Sequence, residues 1–387
     1  MDAAEERFER HANEWRDPVA VAAQWSEAGQ AEPGIFTMAA RGEFWSVIEQ
    51  LGITLVVSRE YEHLLLALSS RAGRPHVTFL RLPHPSGITF DTGRKVLFAA
   101  STRNPNQLYE FEPAVGMLKR SDDQPADVAD CPLVPVRTRY LPGCSYIHDL
   151  AMIGGELYAN SVGQNVVLRL GERAMSAAWW PRSIDRSEGP DTQRNYIQLN
   201  SIAAGDTVET SYFSASGEMP GAFVPGDADY PVDGRGVIFA GATREVMMRG
   251  LTRPHSARIH DGRVWVDNSG YGQLAVSDGA DGYEIVTRLP GWTRGLTFAG
   301  HIAFVGTSRV IPRFRQYAPG LDVDASSCAI HAIDTRTGDV LGSLDFPTGN
   351  QIFAIESFPE SWSRGFPFLV DERDRVAERR LFYAYTI

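Results

Sequence analysis

Six segments of this 387-residue chain begin alike, with a polar and usually small residue that leads directly into a short apolar run. They are Ser86-Gly87-Ile88-Thr89-Phe90, His148-Asp149-Leu150-Ala151-Met152, Asn200-Ser201-Ile202-Ala203, His255-Ser256-Ala257-Arg258-Ile259, Arg294-Gly295-Leu296-Thr297-Phe298 and, in weaker form, Phe353-Ala354-Ile355. In the first five a Gly- or Asp-containing turn follows, then a second strand pattern ending at Ser101, Asn160-Ser161, Ser214, Asn268-Ser269 or Thr307-Ser308, 12 to 15 positions after the first polar residue. Self-similarity at this scale is the mark of a repeat architecture. Four short strands per unit, with starts 39 to 62 residues apart, point to a β-propeller. Units before and after (Thr54 to Ser58, Leu64 to Leu68, Val77 to Leu82; Phe366 to Val370, Tyr383 to Ile387) bring the expected total to six or seven blades. Residues 1–34, with Phe8, Trp15, Val19 and Trp25 spaced among Ala, Glu and Arg, read as a short helical N-terminal extension; residues 35–387 read as the all-β propeller.

The repeat also dictates where side chains gather. In an antiparallel meander the start of strand one and the end of strand two lie on the same face. The innermost strands line a central channel, so the polar starts should converge at one mouth. Unbonded polar groups there are costly, which makes the mouth the expected site. His148 and His255 hold equivalent positions and suit a divalent transition metal, with Asn200 or Gln198 completing the set; bonding to a neighbouring blade's backbone is the alternative for each imidazole. Asp149 could orient His148. Arg294 could clamp a carboxylate or phosphate, or form an ion pair with the next blade. Asn160, Asn268, Ser269 and Tyr146 complete the expected substrate-binding rim. The other histidines read as structural, with His84 the least secure because it stands two residues before a repeat start. The insertions Arg182 to Asn195 and Gly226 to Asp233 read as surface loops.

Composition narrows the partners. A net charge of −11 argues against nucleic acid. Only Lys95 and Lys119 are available for Schiff-base chemistry. Cys131, Cys144 and Cys328 form no disulfide framework and no CxxC pair. With no long apolar run and a charged N-terminus, the expectation is a cytoplasmic protein with no membrane partner. No phosphate-cradling glycine loop is present, so no nucleotide cofactor is expected; the cofactor left open is a divalent metal of unassigned identity.

Taken together, IHDLA (Ile147 to Ala151), LNSIA (Leu199 to Ala203), PHSAR (Pro254 to Arg258), NSGYGQL (Asn268 to Leu274) and PGWTRGLTF (Pro290 to Phe298) resemble a bacterial family of conserved hypothetical proteins, grouped as a domain of unknown function with propeller-like repeats. The resemblance runs from about residue 50 to 360 and implies a propeller-like fold without an assigned activity. Family members carry a histidine just before an LNG motif where this chain has Gln198. If that histidine is a ligand in the family, Gln198 would hold a metal more weakly or not at all.

The residues lead to an enzyme acting on a small polar, anionic metabolite at the channel mouth. His148 or His255 would serve as general base and Arg294 as anchor, and metal-assisted hydrolysis, elimination, isomerisation or oxidation within a biosynthetic pathway all remain open. The alternative is a non-catalytic propeller that binds a peptide, glycan or partner protein on the same face.

Overall fold

The computed structural model describes residues 18–29, 33–103, 106–117, 131–143, 145–192, 197–223, 227, 229–370 and 385–387. Six antiparallel sheets stand around an axis. Their innermost strands are Ala354–Pro359 (blade 1), Pro85–Asp91 (blade 2), Ile147–Ile153 (blade 3), Leu199–Ala203 (blade 4), Pro254–His260 (blade 5) and Trp292–Ala299 (blade 6), and each packs beside the next until the ring closes. The blade count settles at six because the segments at the two ends of the chain share one sheet. Ala354–Pro359 pairs with Ile53–Arg59, and Phe368–Leu369 pairs with Arg74–Arg81 on the outer edge. Every residue of Ile53–Arg59 is buried. Both sheet faces pack against neighbouring blades, so Leu55, Val56 and Val57 stand in a row without the polar alternation of a half-exposed strand. Between blades 3 and 4, Trp179 stacks on Phe213 at 4.0 Å and Phe239 adds a third ring. Burying each such ring contributes about 1.5–3 kcal/mol.

The expected boundary at residue 34 is not where helix gives way to strand. Pro18–Gly29 is helical, but a second helix, Phe44–Leu51, follows the strand Ala39–Gly42, which joins the outer edge of blade 6. Phe44, Val47 and Ile48 of that helix are buried, with Phe44 edge-on to Phe304. This eight-residue helix draws its stability from tertiary burial rather than length, since helices this short are marginal on their own. Residues 1–17, 30–32, 193–196, 226, Lys119, Cys144 and Tyr383, which entered the sequence reading, lie outside the described residues.

Five inner strands depart from regular pairing at the repeated polar positions. The register shifts fall between Pro85 and Ile88, Ile147 and Leu150, Leu199 and Ser201, His255 and Arg258, and Thr293 and Leu296. Bulges of this kind bend a strand and re-aim its side chains, and here they bracket Ser86, His148, Asn200, Ser256 and Arg294. Ahead of them stand His84 (φ 43°), Tyr146 (φ 48°), Gln198 (φ 51°) and Arg253 (φ 55°), each two residues before its repeat's polar start. Left-handed backbone is uncommon for such side chains. Close approach at the axis is permitted by Gly87, where a Cβ would lie 2.5 Å from the Asp149 Cα.

Candidate functional site

The repeated polar residues divide into two groups with different roles. Those at the ends of second strands mostly tie one blade to the next. Ser58 Oγ donates to Ser86 O at 2.6 Å, Asn160 Nδ2 to Leu199 O, Ser269 Oγ to Thr293 O at 2.6 Å, and Ser308 Oγ to Ile352 O at 3.1 Å. Asn268 accepts from Thr252 N at 2.7 Å. Asn160, Asn268 and Ser269 were expected on a substrate rim; the structure places them in these structural bonds instead. The reason is geometric: each strand-two end abuts exposed backbone of a neighbouring element, and buried carbonyl and N–H groups must be paired.

The strand-one starts do converge. His148, Asn200, His255 and Arg294 surround a small axial cavity with Phe353, above Asp149, Ser201, Ser256 and Arg258. The enclosed space has room for about one water molecule. It therefore admits only the polar end of a small ligand, with the remainder left in the mouth. Neither Tyr146 nor Gln198 lines that cavity: Tyr146 is half-buried, and Gln198 is buried with its Oε1 lacking a hydrogen-bond partner. Trp292 lies 5.9 Å from His255 and belongs to an apolar wall with Val232, Val310 and Tyr317. Thus part of the insertion ending at Asp233 packs beside the mouth, whereas Asp185–Arg186 and Gly189–Pro190 of the other insertion form a hairpin of their own.

Arg294 is the decisive residue. It is 8% exposed, its guanidinium lies 3.3 Å from the Phe353 ring centroid, and no hydrogen bond or ion pair from the described residues reaches it. Burial pulls its pKa down to about 10. Of the carboxyls coupled to its charge, two are engaged elsewhere, and the third, Asp267, is pushed by burial toward its neutral form and closes no ion pair with it. Glu60 accepts from Thr102 Oγ1 at 2.6 Å and lies 3.3 Å from Arg103. Asp149 is gripped by both terminal nitrogens of Arg258, at 2.8 and 3.2 Å, and accepts from Ile202 N at 3.0 Å. Asp149 therefore does not orient His148. Burial opposes the charge of Arg258, yet Asp149 outweighs it and the guanidinium's pKa is raised.

His255 has one defined tautomer. Its Nδ1 lies 2.9 Å from Arg253 O, a pure acceptor, so Nδ1 carries the proton and Nε2 a lone pair. Ser269 Oγ, also 2.9 Å from Nδ1, donates onward to Thr293 O. Burial first, and Arg294 second, hold His255 well below the usual imidazole range and His148 down at about 3. Sequence reasoning missed Phe353 as the stacking platform, along with Arg258 and Glu60. His84, read as structural, lies at the same mouth with its Nδ1 3.6 Å from Glu60 and its ring edge-on to His63 at 4.3 Å. A signal for Arg258 was present in the PHSAR motif, but its partner Asp149 is 109 positions away.

These residues suit a divalent cation poorly. Among the described residues no three His, Cys, Asp or Glu side chains gather to hold an ion. Asp149 is neutralised by Arg258, and Arg294 places a positive charge on the space between His148 and His255. The expectation of a metal on those two imidazoles is set aside for that reason.

Three buried histidines and the half-buried His148 set an acid limit on stability. His84, His148 and His255 are held neutral by burial and nearby cations, and His331 by burial alone, down to about 4. The unfolded chain takes up protons below pH 6.5 that the fold refuses. The stabilisation is complete above 6.5 and is lost on acidification, down to about 3 for His148. Each histidine accounts for about 1 kcal/mol between pH 7 and 5.5. Asp267 and Glu356, whose carboxyls burial raises above their usual range, work in the opposite direction but are two groups against four. The urea midpoint is expected to fall between pH 7 and 5.5; a flat or rising midpoint would contradict burial of the neutral rings.

Among the described residues no helix is long and apolar enough to cross a membrane. No curated protein matches the chain. Among solved structures, a nidogen/laminin complex matches with a TM-score of 0.51 at 11% identity, covering 79% of this chain and 98% of that one. A putative oxidoreductase (glucose dehydrogenase) from Thermus thermophilus gives 0.44 at 13%, covering 77% and 100%. A gluconolactonase from Xanthomonas campestris gives 0.41 at 11%, covering 69% and 77%. At such identities the likeness concerns the fold alone. Residues 42–364 match the family described as a domain of unknown function (DUF4915), and the chain belongs to that family.

Proposed function

We propose that the axial mouth is the active site of an enzyme that binds a small anionic metabolite through Arg294 and acts on it by general acid–base chemistry. One observation carries this reading: a buried guanidinium, stacked on Phe353, that no described carboxylate or carbonyl satisfies. A buried charge without a partner is costly, and a carboxylate or phosphate from solution would remove that cost through charge-assisted hydrogen bonds. Binding would also change the histidines. Arg294 is the second cause, after burial, of the depressed pKa of both His148 and His255. An anion on Arg294 offsets that influence and raises their basicity while the ligand is in place. His255, with its proton fixed on Nδ1, presents Nε2 as the base. Hydrolysis, elimination and isomerisation all use such a step.

The test is thermal unfolding of the full chain in acetate, phosphate or chloride at constant ionic strength and pH 7.5, beside Arg294→Gln. A binding anion at about 100 times its Kd should stabilise the native chain by about 2.7 kcal/mol. The variant should not respond. An equal response from both proteins would show that the anion binds elsewhere, and the reading would fail.

A further inference from the structure

We infer, resting on the anion site just described, that its ligand is a 2-hydroxycarboxylate: the cavity offers a cation for the acid group beside acceptors that only an O–H or N–H donor can satisfy. Asn200 is 2% exposed, and its orientation is fixed because Nδ2 donates to Pro254 O at 3.0 Å and to Ser216 Oγ at 3.1 Å. Its Oδ1 is consequently an acceptor, buried and without a hydrogen-bond partner. The Nδ1 of His148 is likewise buried and unpartnered. A side-chain contact from Asn200 favours a proton on His148, but it does not satisfy Asn200 Oδ1, which is left without a hydrogen-bond partner. His255 adds the Nε2 lone pair. Arg294 thus calls for anionic oxygen, while Asn200 Oδ1 and His255 Nε2 call for a donor, and all three residues line the same small cavity and its mouth.

A ligand that satisfies both sides carries a donor on the carbon next to its acid group. The donor is a neutral hydroxyl and not an ammonium, because an ammonium in this cavity would be desolvated beside the buried guanidinium of Arg294. Arg294 is already the second cause, after burial, that keeps both imidazoles from taking a proton. Burial of unpaired polar atoms also gives the discrimination its size. A site built to bond a hydroxyl rejects the analogue lacking it far more strongly than an apolar pocket rejects a missing methyl.

Calorimetric titration of the full native chain with lactate, propionate and alanine, at pH 7.5 and constant ionic strength, tests this without a variant that could disturb the blade contacts of Asn200. Lactate is expected to bind about tenfold or more tightly than propionate, and alanine no more tightly than propionate. Equal affinities for lactate and propionate would overturn the hydroxyl assignment while leaving the anion site standing. Alanine equalling lactate would overturn the choice of hydroxyl over amine. Heat from none of the three would remove the 2-hydroxycarboxylate; if acetate and phosphate also failed to stabilise the chain, the anion site would fall with it.

Discussion

Asp149→Ala should destabilise the fold by about 3–5 kcal/mol, the cost of leaving one member of a buried ion pair alone. The pair is bidentate, and Asp149 is 3% exposed. Its carboxylate also receives the N–H of Ile202 and that of Leu150. One side chain therefore links the inner strands of blades 3, 4 and 5, and its loss orphans both a guanidinium and backbone donors at the axis. The companion experiment is Asp149→Ala combined with Arg258→Met. Replacing both charges should recover much of the stability, since apolar substitutes for a whole buried pair are often close to neutral. Urea unfolding of the two single variants and the double variant gives the coupling directly. A loss below 1 kcal/mol for Asp149→Ala would mean that solvent or a second acid already compensates Arg258.

Arg294→Met has the opposite sign. The guanidinium is desolvated without an ion pair, and its stacking on Phe353 returns about 0.5–2 kcal/mol. An unbranched apolar chain of similar length keeps the ring contact and removes the buried charge. The expected result is a gain of about 1–2 kcal/mol in an anion-free buffer, together with loss of anion-dependent stabilisation. The acid limit should move as well: without Arg294 the folded-state pKa of His148 and His255 rises toward 6.5, so the variant loses less stability on acidification than the native chain. Denaturant melts at pH 7 read the first effect, and a series continued below pH 5.5 toward the folded-state value of His148, about 3, reads the second. A variant less stable than the native chain by 1 kcal/mol or more would show that Arg294 has a structural partner.

The two outcomes would separate the charges that hold the ring from the charge held for a ligand. Both kinds arise from adjacent positions of the repeat. Asp149 and Arg294 each stand in the bulged start of an inner strand. One has found an opposite charge across the channel and the other has found only an aromatic face.

Repetition made much of this legible in advance. The segments beginning at Ser86, His148, Asn200, His255 and Arg294 are inner strands, and their polar starts share one end of the axis, because antiparallel pairing leaves a meander no other arrangement. The Asp261-Gly262 turn likewise joins paired strands with both residues at positive φ, as hairpin turns of this kind require. Less was legible where two residues had to meet. Nothing local marks Asp149 as the partner of Arg258, or Phe353 as the platform for Arg294, because the contacts cross blades. Nor does the sequence distinguish a serine that binds a carbonyl of the next blade, such as Ser269, from an asparagine with a free oxygen, such as Asn200.

The sequence by itself determined the blade as the unit of the fold, the strands that face the axis and the mouth where polar groups collect, since periodicity and turn chemistry act over a few residues. Only the tertiary structure decided the blade count, through the pairing of Ile53–Arg59 with Ala354–Pro359, and the charge balance of the mouth. Those depend on which groups from distant segments come within hydrogen-bond reach once water has been excluded between the blades.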